Sequence, residues 1–328
     1  EMCIRDSNDG DVLISWSASL GVYVWDKGKA LLNQHIFKVV FDKCEVNREY
    51  FVYAVRYKLK EMESKTHGAT MKHIVKKDFD NTLIPFPTLE EQENIANLLD
   101  KISTIILVRQ QQLQKLDELV KARFVELFGD PISNPMNWNK RTLKEVCTKL
   151  NDGTHFSPES FSMGDYKYIT AKNIKASGFD FSNITYVPEA VHRPIFERCN
   201  PEQGDVLYIK DGATTGIAIV NTLKEEFTLL SSVALLKQNR NVINGYFLAA
   251  LLNNADMYSD IRNNMGGAAI TRLTIAKLNA VKVIVPPLDL QNRFAAFVEQ
   301  VDKSKVAVQK SLDEAQLLFD SLMQQYFG

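Results

Sequence analysis

Three short polar segments in the second half of the chain combine hydrogen-bonding side chains with turn-forming residues. They read NDGTH (151–155), TAKNIK (170–175) and IKDGATTG (209–216). Asparagine amides pair with adenine edges, whereas lysine and hydroxyl side chains bind phosphate oxygens. Residues of these types can therefore make reversible hydrogen bonds to a nucleic acid. The candidate contacts are Asn151, Thr154, His155, Lys172, Asn173, Lys210, Thr214 and Thr215.

A second group of candidates comes from segments that align with one another in the two halves of the chain. In the first half, Ser15 and Ser17 occupy the place of the IKDGATTG loop. The segments HGATMKH (67–73) and GGAAITR (266–272) each place a base after a glycine turn. This comparison adds Ser15, Ser17, Lys72, His73 and Arg272.

Every one of these segments also has a structural interpretation. NDGTH is equally typical of an Asx turn, and TAKNIK of a solvated strand end. The IKDGATTG loop and its counterpart differ in charge, as two loops that read different partners would. Surface loops that are free to drift show the same difference.

The sequence lacks the motifs of several other classes of protein. It contains no G-x-x-x-x-G-K-[ST] loop, no [DN]PP[YF] loop and no glycine-rich cofactor turn. The four cysteines have no CxxC spacing and the five histidines lie on separate segments, so no metal site is predicted. Free thiols predict a reducing cytoplasm, and no apolar run reaches the ~18 residues of a membrane span. The net charge of −1 gives no global basic signal, so nucleic-acid binding requires a local patch.

One long segment of the chain occurs twice. GATMKHIVKKDFDNTLIPFPTLEEQENIANLLDKI, from Gly68, aligns without a gap with GAAITRLTIAKLNAVKVIVPPLDLQNRFAAFVEQV, at an offset of 199 residues. The offset persists to Gly129 and Gly328, and GDVLISW at Gly10 matches GDVLYIK at Gly204 after small insertions. The chain is therefore a duplicated domain, with a complete unit over 131–328 and the C-terminal part of another over 1–130.

Each unit divides into a β-rich part and a long helix, which predicts an α+β fold. Alternating β-branched and aromatic residues place strands in 1–87 and in 131–287. Prolines followed by acidic residues predict helices over 88–130 and 288–328. About 40 helical residues make a rod of roughly 60 Å.

Both predicted helices carry a heptad-like apolar stripe. A stripe of this length has to be buried, so we predict that the helices pack on each other, antiparallel, with a pseudo-two-fold relation. The alternative is that each helix folds back on its own domain. The predicted seam consists of Ile95, Leu99, Ile102, Ile106, Leu113, Leu116 and Val120 in the first helix, and of Phe294, Val298, Val301, Leu312 and Phe319 in the second.

Charge is divided between these parts. Residues 132–287 have a net charge of +3, whereas 88–130 and 288–328 have −3 and −2. A rod that lies along DNA would not normally be acidic. The helices are therefore better suited as a spacer and a protein-binding surface.

Five segments of the sequence carry a resemblance to a known family. They are FGDPISNPMNWNKRTLKEVC, YKYITAKNIKASGFDFSNITYV, GDVLYIKDGATTG, LLSSVALLK and VPPLDLQNRFAAFVEQVD. In this order, and repeated with the long helices, they resemble the specificity subunit of type I restriction–modification systems over essentially the whole chain. Compared with the family pattern, we expect the N-terminal half of the first recognition domain to be missing from this sequence.

The resemblance implies a DNA-reading adaptor with no chemistry of its own. Its two target-recognition domains, here 1–87 and 131–287, would each read one half of a split double-stranded DNA sequence, and the spacer helices would fix the gap. Methyltransferase subunits and restriction or translocase subunits would be its partners. S-adenosylmethionine, Mg and ATP are expected on those partners, with no cofactor and no metal on this chain, no membrane partner and a cytoplasmic location.

Two other classes of function stay open at the level of sequence. One is a self-contained DNA methyltransferase or nuclease component, which the missing cofactor and phosphate motifs disfavour. The other is a coiled-coil scaffold whose β-rich domains bind protein rather than DNA. Salt-dependent binding to duplex DNA separates the adaptor from the scaffold.

Overall fold

The computed structural model describes residues 6–16, 20–65, 79, 81–263 and 273–328. The chain divides into two units. Unit 1 comprises Glu1–Leu113 together with Val306–Gly328, and unit 2 comprises Gln114–Lys305.

The described residues form strands β1–β16 and helices α1–α8. The strands are β1 Asp6–Ser7, β2 Val12–Ser15, β3 Gly21–Val24, β4 Ala30–Leu31, β5 Ile36–Lys38, β6 Asn139–Thr142, β7 Cys147–Asp152, β8 Tyr166–Ile169, β9 Ile174–Lys175, β10 Gly178–Phe179, β11 Thr185–Val187, β12 Val206–Ile209, β13 Ala218–Val220, β14 Phe227–Leu229, β15 Val233–Gln238 and β16 Lys282–Val285. The helices are α1 Arg48–Lys65, α2 Leu89–Phe128, α3 Leu143–Val146, α4 Glu189–Arg198, α5 Gly245–Leu252, α6 Ala255–Asn263, α7 Ile275–Ala280 and α8 Leu288–Phe327.

Unit 1 is built on a three-stranded antiparallel sheet of order β3-β2-β5. Val12 and Ile14 of β2 point into a core against Val52 and Val55 of α1. A second cluster lies where α1 meets both long helices, and it includes Tyr50, Leu99 and Phe327. The C-terminal end of α8 is thus part of the core of unit 1.

Unit 2 contains a larger set of strands. Its main sheet is antiparallel with the order β13-β12-β15-β7, and a three-stranded sheet of order β11-β8-β14 lies beside it. Strand β12 is buried over all four residues, since its two faces contribute to two different clusters. Val206 and Tyr208 face the cluster that includes Phe247 and Phe294, whereas Leu207 and Ile209 face the one around Phe227.

The two long helices are antiparallel and pack on each other, as their apolar stripes predict. In unit 1, Leu99 of α2 shares a cluster with Met323 of α8, and Arg109 Nε donates to Ser311 Oγ at 3.2 Å. In unit 2, Phe124 of α2 lies 5.7 Å from Phe294 of α8, measured between ring centroids. Contacts that advance along α2 therefore recede along α8. The alternative, in which each helix folds back separately on its own domain, is wrong.

The predicted seam residues lie on the inner side of these helices. Leu99, Ile102, Phe294, Val298 and Val301 are buried. The other members are half-buried, because two helices alone cannot cover a whole stripe. They are Ile95, Ile106, Leu113, Leu116, Val120, Leu312 and Phe319.

Candidate nucleic-acid interface

Three of the polar segments singled out by sequence converge on one connection in unit 2. Leu230–Ser232 joins β14 to β15. Its backbone is hydrogen-bonded to the NDGTH and IKDGATTG segments, and Ser232 Oγ accepts from Ala171 N of the TAKNIK segment at 3.3 Å. Ser231 N donates to Thr154 O at 2.8 Å, Leu230 N to Ile169 O at 3.0 Å, and Lys210 N to Ser232 O at 2.9 Å. The ends of β7, β8 and β12 are therefore held side by side by a fourth segment.

The NDGTH segment leaves β7 in a close backbone contact. A Cβ on Gly153 would lie 1.9 Å from Leu229 O, so only glycine allows the segment to approach β14. Thr154 is buried and its backbone N donates to Leu229 O at 2.8 Å. Asn151 is half-buried and donates through Nδ2 to Arg198 O at 3.1 Å, whereas His155 is exposed.

The TAKNIK segment forms a 3₁₀ turn over Ala171–Asn173. Asn173 is buried, and its Oδ1 accepts from Thr170 N and Thr170 Oγ1, both at 3.0 Å. Its Nδ2 donates to Asp180 O at 3.3 Å. The Asn173 amide therefore caps the turn, while Lys172 is exposed to solvent.

The IKDGATTG segment follows β12 and places its residues in different environments. Lys210 is only 2% exposed and lies between the carboxylates of Asp152 and Asp211. Thr215 is fully buried, and its Oγ1 donates to Gly212 O at 2.6 Å. Thr214 is exposed.

These positions correct part of the contact set expected from sequence. Thr154, Asn173, Lys210 and Thr215 are buried within unit 2, with their polar groups in turns or ion pairs, so they are not available as surface contacts. The local sequence did not reveal this, because each partner comes from the turn geometry or from a distant strand. His155, Lys172 and Thr214 stay exposed, and Asn151 is half-buried.

The remaining candidates belong to other parts of the chain. Ser15 is a half-buried strand residue in unit 1, paired with Gly21 of β3 and Ile36 of β5. Ser17, Lys72, His73 and Arg272 lie outside the described residues. Leu273, which follows Arg272, donates through its backbone N to Lys210 O at 2.9 Å.

Sequence reasoning missed two charged residues beside the converging segments. Asp152 is buried and interacts with both Lys210 and Arg198, the latter through Nη2 at 3.2 Å. Arg198 ends α4 and also donates to Asp152 O at 3.1 Å. No local signal marked this pair, since the two residues are 46 positions apart.

The described residues of this region offer no reactive cysteine thiol and no metal site. Burial raises the pKa of both the Cys147 and Cys199 thiols to about 12, so both are protonated and unreactive at neutral pH. No group of three or more His, Cys, Asp or Glu side chains in the described part is placed to hold a metal ion. Nor does any described helix have the length and apolarity needed to span a bilayer.

Comparison with known proteins places this architecture among DNA-specificity proteins. The family model for the type I restriction modification DNA specificity domain matches residues 6–118 and again residues 135–316. The MjaVIII specificity subunit of Methanocaldococcus jannaschii is 22% identical over 311 residues, covering 90% of this chain and 73% of the relative. The EcoBI specificity subunit of Escherichia coli is 20% identical over 341 residues, covering 96% and 71%.

Solved structures show the same fold. The crystal structure of a type I restriction–modification S subunit from M. genitalium superposes with a TM-score of 0.62 at 18% identity, covering 99% of this chain and 84% of that one. A structure from a study of assembly and conformational transition of the type I system gives a TM-score of 0.57 at 18% identity.

A duplicated β-rich domain carried on paired long helices is thus the architecture of a DNA-specificity protein. The chain belongs to the type I restriction modification DNA specificity family, whose model it matches twice. It is a DNA specificity subunit, the non-catalytic component of a restriction–modification enzyme complex.

Proposed function

We propose that unit 2 reads one half of a bipartite DNA target through the converging ends of β7, β8 and β12. The observation that carries this proposal is the common attachment of three polar segments to Leu230–Ser232, two through its backbone and one through Ser232 Oγ. Base and phosphate readers need side chains held in fixed relative positions. The exposed His155, Lys172 and Thr214 are the contacts we assign from the described residues, with Arg272 as a fourth.

The first recognition domain, within 1–87, would read the other half of the target. Its β3-β2-β5 sheet has the same strand order as β13-β12-β15, which supports an equivalent role. The two long helices would then set the number of base pairs between the half-sites. In this scheme the gap length is as much a part of specificity as the bases themselves.

Gap length provides the direct test. The target is first identified by mapping methylated positions in a genome that carries the intact system. One base pair added to the gap displaces the half-sites by about 3.4 Å and rotates them by about 35°. We expect the assembled complex to bind such a duplex at least tenfold more weakly than the native target. Equal binding to all gap lengths would contradict the proposal.

Within the pair of long helices, methyltransferase subunits would dock on one face of α2. Leu98, Ile105 and Val108 are exposed on one face of α2 within unit 1 and have relative exposures of 38%, 45% and 42%. An exposed apolar face on an acidic helix fits a protein partner better than DNA. The partners, including restriction or translocase subunits, would supply S-adenosylmethionine, Mg and ATP.

This docking assignment can be tested by co-purification with the methyltransferase subunit. Ile105→Glu should reduce its recovery at least tenfold, because a charge would enter the apolar contact. Leu317→Glu, on an exposed position of α8, serves as the matched control and should leave recovery unchanged. Full recovery with Ile105→Glu would contradict the assignment.

A further inference from the structure

Lys210 is a lysine that the fold has taken out of solvent. Its side chain is 2% exposed, and Nζ lies 2.9 Å from Asp211 Oδ2 and 3.3 Å from Asp152 Oδ2. Lysine is almost never buried this far unless it is paired. Taking the ammonium group out of water costs free energy, and an apolar side chain at such a site is often at least as stable. A buried lysine therefore suggests a role other than stability, such as holding neighbouring segments in position.

Asp152 connects this lysine to a third element. Its Oδ1 accepts from Arg198 Nη2 at 3.2 Å and lies 3.2 Å from His155 Nε2. Arg198 additionally donates to the backbone carbonyl of Gly153. One carboxylate therefore joins the end of β7, the residue that follows β12 and the end of α4.

The backbone of Lys210 is fixed as well. Its N donates to Ser232 O and its O accepts from Leu273 N, both at 2.9 Å. Lys210 is thus held at both its backbone N–H and its backbone C=O, while its side chain reaches Asp152. Moving the segment that follows β12 would require breaking this ion pair.

The equivalent position in unit 1 shows that this part of the sheet can form without the ion pair. Strands β2 and β12 correspond at an offset of 194 residues, so Trp16 occupies the place of Lys210. Trp16 stacks on Phe37 with a ring-centroid separation of 5.7 Å. In unit 1 an aromatic contact therefore takes the place of the ion pair, which occurs only in unit 2 of the two equivalent positions.

We propose that the Lys210–Asp152 pair is a positioning device that fixes residues 151–156 relative to 210–216, and so controls base discrimination without touching DNA. The proposal rests on the proposed function, since it presumes that these two segments face the target. It assigns Lys210 a role in selectivity and none in phosphate binding. Both consequences are measurable on the same DNA.

The test compares two lysine variants in the complex of the full chain with its methyltransferase subunits, using a randomised duplex DNA library. Lys210→Met should reduce the preference for the best duplex over the bulk library at least tenfold, and only at the half-site read by unit 2. The slope of log affinity against log salt should not change, because no phosphate contact is lost. Lys172→Met, the exposed control, should lower that slope by about one and leave the preference intact.

Several outcomes would overturn the proposal. A reduced salt slope for Lys210→Met would make Lys210 a phosphate contact, and an unchanged preference would make the pair merely structural. If Lys210→Met does not fold, the double variant Asp152→Asn/Lys210→Met removes both charges and should show the same loss of preference. Failure of both variants to fold would assign the pair to stability and refute the positioning role. A wild-type complex without any duplex preference would instead refute the proposed function itself.

Discussion

The two units use the same turn to start the same strand. Gly10 and Gly204 precede β2 and β12, with φ of +88° and +91°, a conformation that side chains with a Cβ rarely adopt. Gly10 N donates to Trp25 O and Gly204 N to Asn221 O, both at 2.8 Å. These repeated backbone contacts show that the two copies share the turn that precedes the central strand of the sheet.

The attachment of each β-rich part to its long helix is also repeated. A fully buried glutamine in the first turn of the helix, Gln92 or Gln291, accepts from the backbone N of an asparagine, at 2.9 Å from Asn47 and 2.8 Å from Asn244. That asparagine in turn caps α1 or α5. An equivalent glutamine–asparagine pair therefore links the long helix to a shorter helix in both units.

The two units differ in the segments that adjoin the repeated strands. The position after the repeated strand is Trp16 in one unit and Lys210 in the other. Unit 2 adds β7 to its sheet, and the described residues of unit 1 have no strand in that place. A shared sheet with different adjoining segments is what we expect if the two units bind different half-sites.

The largest effect that tests this comparison is expected at the C-terminal phenylalanines of the long helices. Phe128 and Phe327 correspond at an offset of 199 and are fully buried. Either change to alanine should lower the free energy of unfolding by about 3–5 kcal/mol, because a buried aromatic ring is lost. Urea unfolding gives the magnitude, and hydrogen exchange should show the loosening in unit 2 for Phe128→Ala and in unit 1 for Phe327→Ala.

Val125→Ala is the control for these variants, since Val125 is 50% exposed on the same helix as Phe128. It should change stability by less than about 0.5 kcal/mol. If both phenylalanine variants loosened the same unit, the prediction that each helix end stabilises a different unit would be wrong.

A smaller effect is expected at the buried glutamines. Among the described residues, Gln291 makes three hydrogen bonds, to Asn244 N, Pro286 O and Val242 O, whereas Gln92 makes two, to Asn47 N and Pro87 O. Alanine at either position leaves buried or part-buried backbone groups without these partners, at a cost of up to about 1–3 kcal/mol each. Gln291→Ala should therefore lower thermal stability more than Gln92→Ala.

Gln114→Ala is the matched control for the glutamine variants, because Gln114 is exposed and, within the described residues, its side chain bonds only to Glu118. Its melting temperature should stay close to that of the wild type. The opposite order of Gln92→Ala and Gln291→Ala would mean that hydrogen-bond number does not decide the strength of the attachment.

The polar contacts in the middle of the helix pair should have modest effects. Lys305 Nζ lies 2.6 Å from Asp117 Oδ1 in unit 2, whereas Arg109 donates to the neutral Ser311 in unit 1. Lys305→Met should cost about 0.2–1 kcal/mol, and a double-mutant cycle with Asp117→Asn should show that the coupling fades at high salt. The coupling of Arg109 to Ser311 should respond less to salt, and equal salt responses would contradict this distinction.

The subtlest difference lies in the aspartates of the repeated turn. A hydrogen bond from Lys38 holds the pKa of Asp11 below its ordinary value of 3.8, whereas burial raises the pKa of Asp205 above it. Asp11 therefore stabilises the fold above pH 3.8, and this is lost as the pH falls through its folded pKa. Asp205 binds its proton more tightly in the folded state, so its contribution to stability falls as the pH rises from 3.8 to its folded pKa. Carboxyl carbon NMR titrations should give midpoints on opposite sides of 3.8, and midpoints on the same side would show that the two turns have equivalent environments.

The sequence by itself determined the duplication, the two long helices and their antiparallel pairing. Helices α2 and α8 begin and end 199 residues apart, at Leu89 and Leu288 and at Phe128 and Phe327, which is the offset of the repeat. Such features are readable because they depend on local signals, namely prolines, acidic first turns and an apolar stripe of helical period.

Only the tertiary structure decided which polar residues reach the surface. Lys210 and Asn173 have the same composition cues as Lys172 and Thr214, yet the first two are buried and the last two are exposed. The difference comes from partners that the local sequence does not contain, such as Asp152 at 58 positions from Lys210. Burial of a polar group depends on whether the fold supplies it with a hydrogen-bond or charge partner, and that is a long-range property of the chain.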